Sequence, residues 1–440
     1  MSVHFHLSVA IQGIGLSRST PENTQGVSMS EFLVLGAGIV GISTALELQS
    51  RGHSVVVVDR TSPGLETSYG NAGVIQGEAA EPYLLPRNLP TLVRMALGMT
   101  NDLSWSSAGI LANASALWKY YRFSETRRHR EISQTYAQLT SSATADHASW
   151  ITAAQADDLI TRDGFSCVYK DARAFDAAAQ EMDRLCTTYK LKARLLTGTE
   201  YAGEEPALTG EFAGAIHWHD SWTCSDPGRL TQLYADLFVT RGGEIRTGDA
   251  SSLKPNGSGW SVDTIEGVTE ASSVVIALGP WAPQTLKRFG YKIPMVLKRG
   301  YHGHFNAPVK LQRPILDVAN GVVASSMVKG LRITTGVALV PQNEPANPSQ
   351  LIRGAKGLAQ IMELGDRVEE PQWYGTRPFM PDMLPVVGKA PKHSGMWFNF
   401  GHGHHGLTLG PTTARLLADA IEAQTDTLPV QSKLDPQRLF

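Results

Sequence analysis

The sequence predicts an α/β fold. A parallel-stranded domain assembled from discontinuous segments carries an inserted α+β domain built on a mixed or antiparallel sheet. Three observations predict this. Residues 32–59, FLVLGAGIVGISTALELQSRGHSVVVVD, read as strand, glycine turn, helix and strand. MWFNFGHGHHGLTLGPTTARLLADAIEA repeats that grammar near the other end of the chain. Between them lie alternating segments such as KRGYHGHF and GLRITTGVAL, whose period of two suits an antiparallel sheet. The boundaries that follow are 31–83, 210–290 and 375–440 for the first domain, and 84–209 and 291–374 for the second.

The opening unit holds Gly36, Gly38 and Gly41, with Asp59 twenty-three positions after the first glycine. That spacing fits a dinucleotide-binding βαβ unit. Gly36 permits the tight turn, Gly38 lets a pyrophosphate approach the backbone, and Gly41 lets the helix pack on the strand. Ala37, Ile39 and Val40 lie within the turn and helix start. There, free N–H groups and a partial positive charge face the phosphates. Asp59, followed by Arg60, would accept hydrogen bonds from a ribose, which does not choose between dinucleotides. The next segment, ETSYGNAGVI, places Ser68, Asn71, Ala72 and Gly73 either against a ligand or in a plain turn.

Residues 84–150 read as largely helical, with Trp105, Trp118, Tyr120, Tyr121 and Trp150 as core and lid packing. AIHWHDSWTC reads as a strand entering a loop. Asp226-Pro227-Gly228 caps a helix over 229–241. VVIALG is a continuous apolar run suited to a strand buried on both faces, and Gly279 turns the chain out. A helix is expected at 349–363.

Composition narrows the function. The chain has 440 residues, which suggests two or three domain-sized units, and 42% hydrophobic residues, ample for a large core. A net charge of −2 argues against nucleic acid and gives no drive toward an anionic membrane. Cys167, Cys186 and Cys224 are widely spaced, without C-x-x-C, so neither a disulfide framework nor a cysteine zinc site is expected. A reducing compartment, the cytoplasm, is the expected location. Residues 1–30 read as an extension, disordered or from an upstream start. Its apolar part lacks a preceding basic residue and a small-residue cleavage site, so it is a poor signal peptide.

Several side chains could carry chemistry. Arg377, in TRP, offers a planar guanidinium that can hold a carboxylate by two parallel hydrogen bonds. A structural salt bridge is the equal alternative from the residues alone, and Arg299 and Arg332 are rivals. Tyr301 and His304 could line a pocket, or sit in the core or at the surface. His402, His404 and His405 look like a metal tract, yet no spaced acid or cysteine joins them, so no metal is expected.

Taken in order, GAGIVGISTALEL…VVVVD, ETSYGNAGVI, IALGPWAP, TRPFMPDMLPVVG and NFGHGHHGLTLGP resemble the FAD-dependent D-amino-acid oxidase superfamily. The nearest branch is the bacterial D-amino-acid dehydrogenases, with their D-hydroxyproline relatives. The resemblance spans nearly everything after Met29. It implies a Rossmann-like FAD domain and a substrate domain. The adenosine half of FAD would lie on Gly36–Gly41 and Asp59. Ser68–Val74 would pass the pyrophosphate and flavin. Gly401, His402, Gly403, Gly406, Leu407 and Thr408 would lie under the isoalloxazine, where glycines let the backbone reach the ring's pyrimidine edge. Gly279 completes the cofactor set. Arg377 matches the family's carboxylate-binding arginine, and Tyr301 and His304 are the pocket candidates beside it. No cysteine follows Cys224, so FAD is expected to be noncovalent. The family's glutamate after its RI-type pair is replaced here by Ala338-Leu339, which leaves the pocket's details open.

The implied reaction is hydride transfer from Cα of a D-amino acid to flavin N5, giving a 2-oxo acid or cyclic imine. The acceptor would be a respiratory quinone, another carrier or oxygen. Other amines, such as cis-4-hydroxy-D-proline, sarcosine or glycine, are the nearest alternative. A non-catalytic nucleotide-bound subunit is the alternative from another class. The second glycine turn opposes an NAD-dependent enzyme. Peripheral association with the inner membrane stays open.

Overall fold

The computed structural model describes residues 30–369, 371–422 and 429–440. The extension expected at 1–30 therefore lies, apart from Ser30, outside the described residues. The chain opens as its pattern dictates. Strand Ser30–Leu35 leads into helix Ile39–Ser50 and strand Val55–Asp59. Both strands are apolar on both faces and buried except at their ends, as parallel central strands must be. They pair in parallel, and Gly267–Ile276 and Glu244–Asn256 extend the sheet on either side. Met396–Phe400 adds a further parallel strand beside Gly267–Ile276. The C-terminal helix Gly406–Glu422 then packs on helix Ile39–Ser50. The two ends of the chain thus close one layered α/β domain.

The second sheet is mixed and mainly antiparallel, with ten strands among the described residues. Its central strand, Val296–Phe305, pairs antiparallel with Gly330–Thr335 on one side and Trp373–Phe379 on the other. That arrangement sets Lys298 opposite Arg377, and Gly300 opposite Gly375.

Three expectations differ in placement. Strand Gly214–Trp218, expected in the first domain, pairs with Phe165–Tyr169 and Ala193–Thr197 in the second sheet. All five of its residues are buried, and covering both faces decides its sheet. Helix Thr126–Ala153, expected in the second domain, packs on the C-terminal helix. There Arg415 pairs with Asp146 at 3.0 Å, and His147 Nε2 donates to the Leu407 carbonyl at 2.7 Å. The helix expected over 349–363 ends at Leu358. The helix read over 229–241 forms Pro227–Thr240, capped by the Asp226 side chain, and the C-terminal segment forms strand Met396–Phe400, a glycine turn and helix Gly406–Glu422.

Candidate active site

One cavity of about 460 Å³ runs between the two sheets. At one end lie Gly36, Gly38, Ile39 and Val40, with Asp59 and Arg60. Ser68 and Asn71 border its middle, with Gly279. At the other end are His402, Gly403, Gly406 and Leu407, facing Arg377 and Tyr301. Thirteen cofactor residues named from sequence and two of the three pocket candidates therefore meet in one space.

The glycine turn has a local cause. Gly36 has φ +108°, and a Cβ there would lie 2.5 Å from the Ala277 carbonyl oxygen. A Cβ on Gly41 would lie 1.8 Å from the Gly36 carbonyl oxygen, so Gly41 serves packing and does not line the cavity. Asp59 accepts from the Ala37 N–H at 2.6 Å and the Thr61 N–H at 3.0 Å, which holds its carboxylate at the end of the strand. Ser68 Oγ accepts from the Ile39 N–H at 2.9 Å and so ties the second segment to the helix start.

The other expected contacts that do not line the cavity act behind it. The Ala37 N–H is taken by Asp59. The Ala72 carbonyl accepts from Ser325 at 2.8 Å. Gly73 packs on the Cys224 carbonyl, and Gly401 packs on Met380. The Thr408 hydroxyl donates to the Val74 carbonyl at 3.3 Å and accepts from the Gln76 N–H at 3.2 Å.

The three candidate arginines separate cleanly. Arg299 spends its guanidinium on the carbonyls of Pro341, Gln342, Glu344 and Pro345. Arg332 donates to the carbonyls of Tyr69 and Asn71 at 2.8 and 2.6 Å, clamping the middle segment against the second sheet. Only Arg377 of the three lines the cavity. It donates to the Gly336 and Thr335 carbonyls at 2.7 and 2.9 Å. A guanidinium has five N–H donors, so three remain. Its neighbour Gly300 makes room: a Cβ there would lie 2.6 Å from Arg377 Nη2. Burial lowers the Arg377 pKa to about 10, which still leaves it cationic at neutral pH.

His304 is a correction. It does not line the cavity. Four residues beyond Gly300 along the strand is about 13 Å. There His304 Nε2 accepts from Arg332 Nε at 3.0 Å, so Nδ1 carries the hydrogen and donates to Glu369 at 2.6 Å. His302, His304 and Glu369 bring three metal-type ligand atoms within 4.8 Å of one another, but both His304 nitrogens are engaged, Nε2 by Arg332 and Nδ1 by Glu369. Tyr301 borders the cavity, yet its hydroxyl accepts from the Asn347 N–H at 3.2 Å, which makes it a structural tie.

The histidine tract divides into three environments. His402 Nε2 donates at 2.8 Å to Thr413 Oγ1, whose own hydrogen goes to the Leu409 carbonyl. His405 Nε2 donates to Gln76 Oε1 at 2.8 Å, and its Nδ1 accepts from the Tyr136 hydroxyl. His404 lines the cavity, its buried Nε2 has no partner, and its pKa is well below the ordinary value. Burial comes first among the causes, then His405, Arg377 and Lys298. It is a neutral ring available to a ligand. Trp373 also borders the cavity and stacks on His302 at 4.8 Å. Gly70 and Gly375 admit its indole, since a Cβ at either would overlap it. The sequence named His404 as an extra histidine of the 402–405 tract, facing the flavin edge or solvent, and no spacing rule singled out Trp373.

The comparisons decide the family. A model of FAD dependent oxidoreductases matches residues 31–420. This chain belongs to that family. It is 28% identical over 425 residues to a D-amino acid dehydrogenase of Paramagnetospirillum magneticum, covering 90% of this chain and 96% of the relative. It is 26% identical over 417 residues to a D-amino-acid oxidase of Bradyrhizobium diazoefficiens, with 90% and 96% covered. Among solved structures, iminodiacetate oxidase from Chelativorans sp. BNC1 superposes with a TM-score of 0.69 at 19% identity, covering 92% of this chain and 99% of that one. Glycine oxidase from Geobacillus kaustophilus gives 0.67 at 20%, covering 92% and 98%. The fold is that of these flavoenzymes, and the chain is an FAD-dependent oxidoreductase of the amino-acid dehydrogenase/oxidase type.

The cavity fits FAD on its own geometry. Two helix N-termini, at Gly38–Val40 and Gly406–Leu407, open onto it, each favouring negative charge. Asn399 Oδ1 and Thr334 Oγ1 are buried without partners in residues that line it. The Gly403 N–H donates to the Pro378 carbonyl at 2.9 Å, which pins the C-terminal turn to the strand that carries Arg377. None of the three cysteines lines the cavity. Among the described residues no helix is long and apolar enough to cross a membrane.

Proposed function

We propose that this flavoprotein oxidises D-amino acids, passing the electrons to an acceptor other than the substrate. The observation that carries the reading is the position of Arg377. It is the one candidate arginine that opens into the cavity shared by both glycine turns. Its spare N–H groups would hold the substrate carboxylate. Gly38 to Val40 and Asp59 would hold the adenosine and pyrophosphate, and the 401–407 turn would hold the ring. Bound FAD would supply the two-electron sink that takes a hydride from Cα.

The protein's own part is orientation and exclusion of water. Fixing the carboxylate at Arg377 supplies one of the contacts that present a face of Cα, and the places left for the amine and the side chain complete the choice of D against L. An amine gives up a hydride readily only when neutral. His404 offers an unpaired, uncharged nitrogen beside Arg377, suited to accept a hydrogen bond from that amine. The 28%-identical relatives named D-amino acid dehydrogenase support the choice of substrate class and of a dehydrogenase. The neighbours named glycine oxidase and iminodiacetate oxidase keep a small secondary or achiral amine as the second reading.

The test is anaerobic mixing of the yellow protein with D-amino acids, L-amino acids, sarcosine and glycine in turn. D-amino acids are expected to bleach the flavin fastest. Bleaching by L-amino acids or glycine alone would overturn the assignment. Repeating the experiment in air separates oxygen from a carrier as acceptor.

A further inference from the structure

A second cation stands beside Arg377 and has no task in the site described so far. Strands Val296–Phe305 and Trp373–Phe379 pair with Lys298 directly opposite Arg377. Residues so placed project from the same face of a sheet, with Cβ atoms about 4.5–5.5 Å apart. Gly300 follows two positions on and shares that face. It lies under the Arg377 guanidinium, where a Cβ would be 2.6 Å from Nη2. Lys298 therefore projects on the side where Arg377 borders the cavity. It lies just outside that cavity, beside Arg377 and His404, and both cations help to keep the His404 ring neutral.

Rings hold the Lys298 amine in place, and no counter-charge does. Nζ lies 3.3 Å from the centroid of the Phe379 ring and 4.4 Å from that of Tyr120. The two rings pack on each other at 4.9 Å. A Cβ on Gly403, a cavity residue, would lie 3.0 Å from the Phe379 ring, so this aromatic box adjoins the C-terminal turn. Among the described residues, no carboxylate or carbonyl pairs with Lys298. Enclosure by protein, then Arg377, brings its pKa down to about 7. Like charges directly opposite on a sheet repel, so an anion shared between these two side chains would relieve both. Open room adjoins them: Lys298 is half-buried, and Tyr83, whose ring lies 5.0 Å from that of His404, is 60% exposed. A neutral D-amino acid brings one carboxylate, which Arg377 takes, and leaves one positive charge facing the substrate's side chain. We propose that Lys298 receives the side-chain carboxylate of an acidic D-amino acid whose α-carboxylate sits on Arg377, so that D-aspartate and D-glutamate are the favoured substrates. The side chain would reach past Arg377, out of the space the cofactor takes. This assignment rests on the D-amino-acid reaction proposed above and names its substrate class.

The test compares D-glutamate with D-glutamine, and D-aspartate with D-asparagine, as reductants of the anaerobic holoprotein. Each acid differs from its amide in charge and hardly in size. Flavin reduction should be roughly tenfold or more efficient with the acid. Lys298→Met should bring that ratio close to one, and Lys298→Arg should keep it well above one. A second measurement needs neither turnover nor a variant. Glutarate, which is glutamate without its amine, is titrated against pentanoate in the visible spectrum of the bound flavin. Glutarate should bind roughly tenfold or more tightly. An amide that reduces the flavin as well as its acid, a ratio that survives Lys298→Met, or equal binding of glutarate and pentanoate would overturn the assignment. Failure of the underlying reaction looks different. No D-amino acid would then reduce the flavin, while tighter binding of glutarate, lost in Lys298→Met, would still support Lys298 as the seat of a second carboxylate.

Discussion

The two ends of the cavity are built by different logics. The nucleotide end is local: Gly36, Gly38, Gly41, Asp59 and Ser68 lie within one stretch of chain, and each is fixed by a neighbour in that stretch or by the adjacent strand. The Arg377 end is assembled from afar. Arg377 rests on carbonyls of residues 335 and 336, leans over Gly300, and faces a turn at 401–407. The difference teaches where errors are tolerated. A local motif fails as a unit when one backbone position is blocked. A distributed site loses one function at a time.

The strongest break of that contrast is Gly36→Val. A side chain there meets the Ala277 carbonyl and must adopt φ +108°. A cost of about 3–5 kcal/mol follows from the strain and clash. Thermal melting should show a large loss, and the purified protein should carry little FAD. Next is Arg332→Leu, which removes the donors from the part-buried carbonyls of Tyr69 and Asn71. About 2–4 kcal/mol of stability should disappear in urea unfolding. FAD affinity should fall with it, because Ser68 and Asn71 share that segment.

Acid provides a third probe, aimed at the seat under the C-terminal turn. Burial pushes His147 down to about 4, while the unfolded chain keeps it near 6.5. Between those values the unfolded state binds the proton and the folded state does not. Stability therefore falls as pH drops through 6.5 and levels off near 4. His147 alone should cost about 2 kcal/mol at pH 5 relative to pH 7.5. Unfolding midpoints at the two pH values measure it, and His147→Gln should flatten the dependence. The smallest effect is expected from Tyr301→Phe. It deletes an acceptor for the Asn347 N–H, so about 1 kcal/mol of stability is at stake. Its kcat/KM should stay within roughly threefold of wild type, which corresponds to less than 1 kcal/mol. A hundredfold loss would return Tyr301 to the catalytic set.

The same contrast explains what could be read in the sequence. The Gly36–Asp59 unit was legible because its turn, helix start and acid obey spacings set within one chain segment. Arg377 was legible as a residue type in a motif. Its separation from Arg299 and Arg332 was not, because the carbonyls that absorb those rivals come from distant loops. His304 was misplaced because alternation along a strand gives the face but not the distance from the site. Strand Gly214–Trp218 went to the wrong sheet because a strand pattern does not name the strand it pairs with. His404 was legible only as one of three tract histidines with two open placements, and Trp373 carried no signal of its own, since its place depends on two glycines brought together only by folding.

The most direct measurement is the anaerobic reductive half-reaction of wild type and Arg377→Leu with the same D-amino acid. Losing a buried charged partner for the carboxylate costs about 2–5 kcal/mol. The efficiency of flavin reduction, measured per bound FAD, should therefore drop roughly 30- to 5,000-fold, beside a loss of about 1–3 kcal/mol of stability from the Gly336 and Thr335 carbonyls left without their donor. Flavin reduction by Arg377→Leu at the wild-type rate and substrate affinity would contradict the carboxylate-anchor assignment.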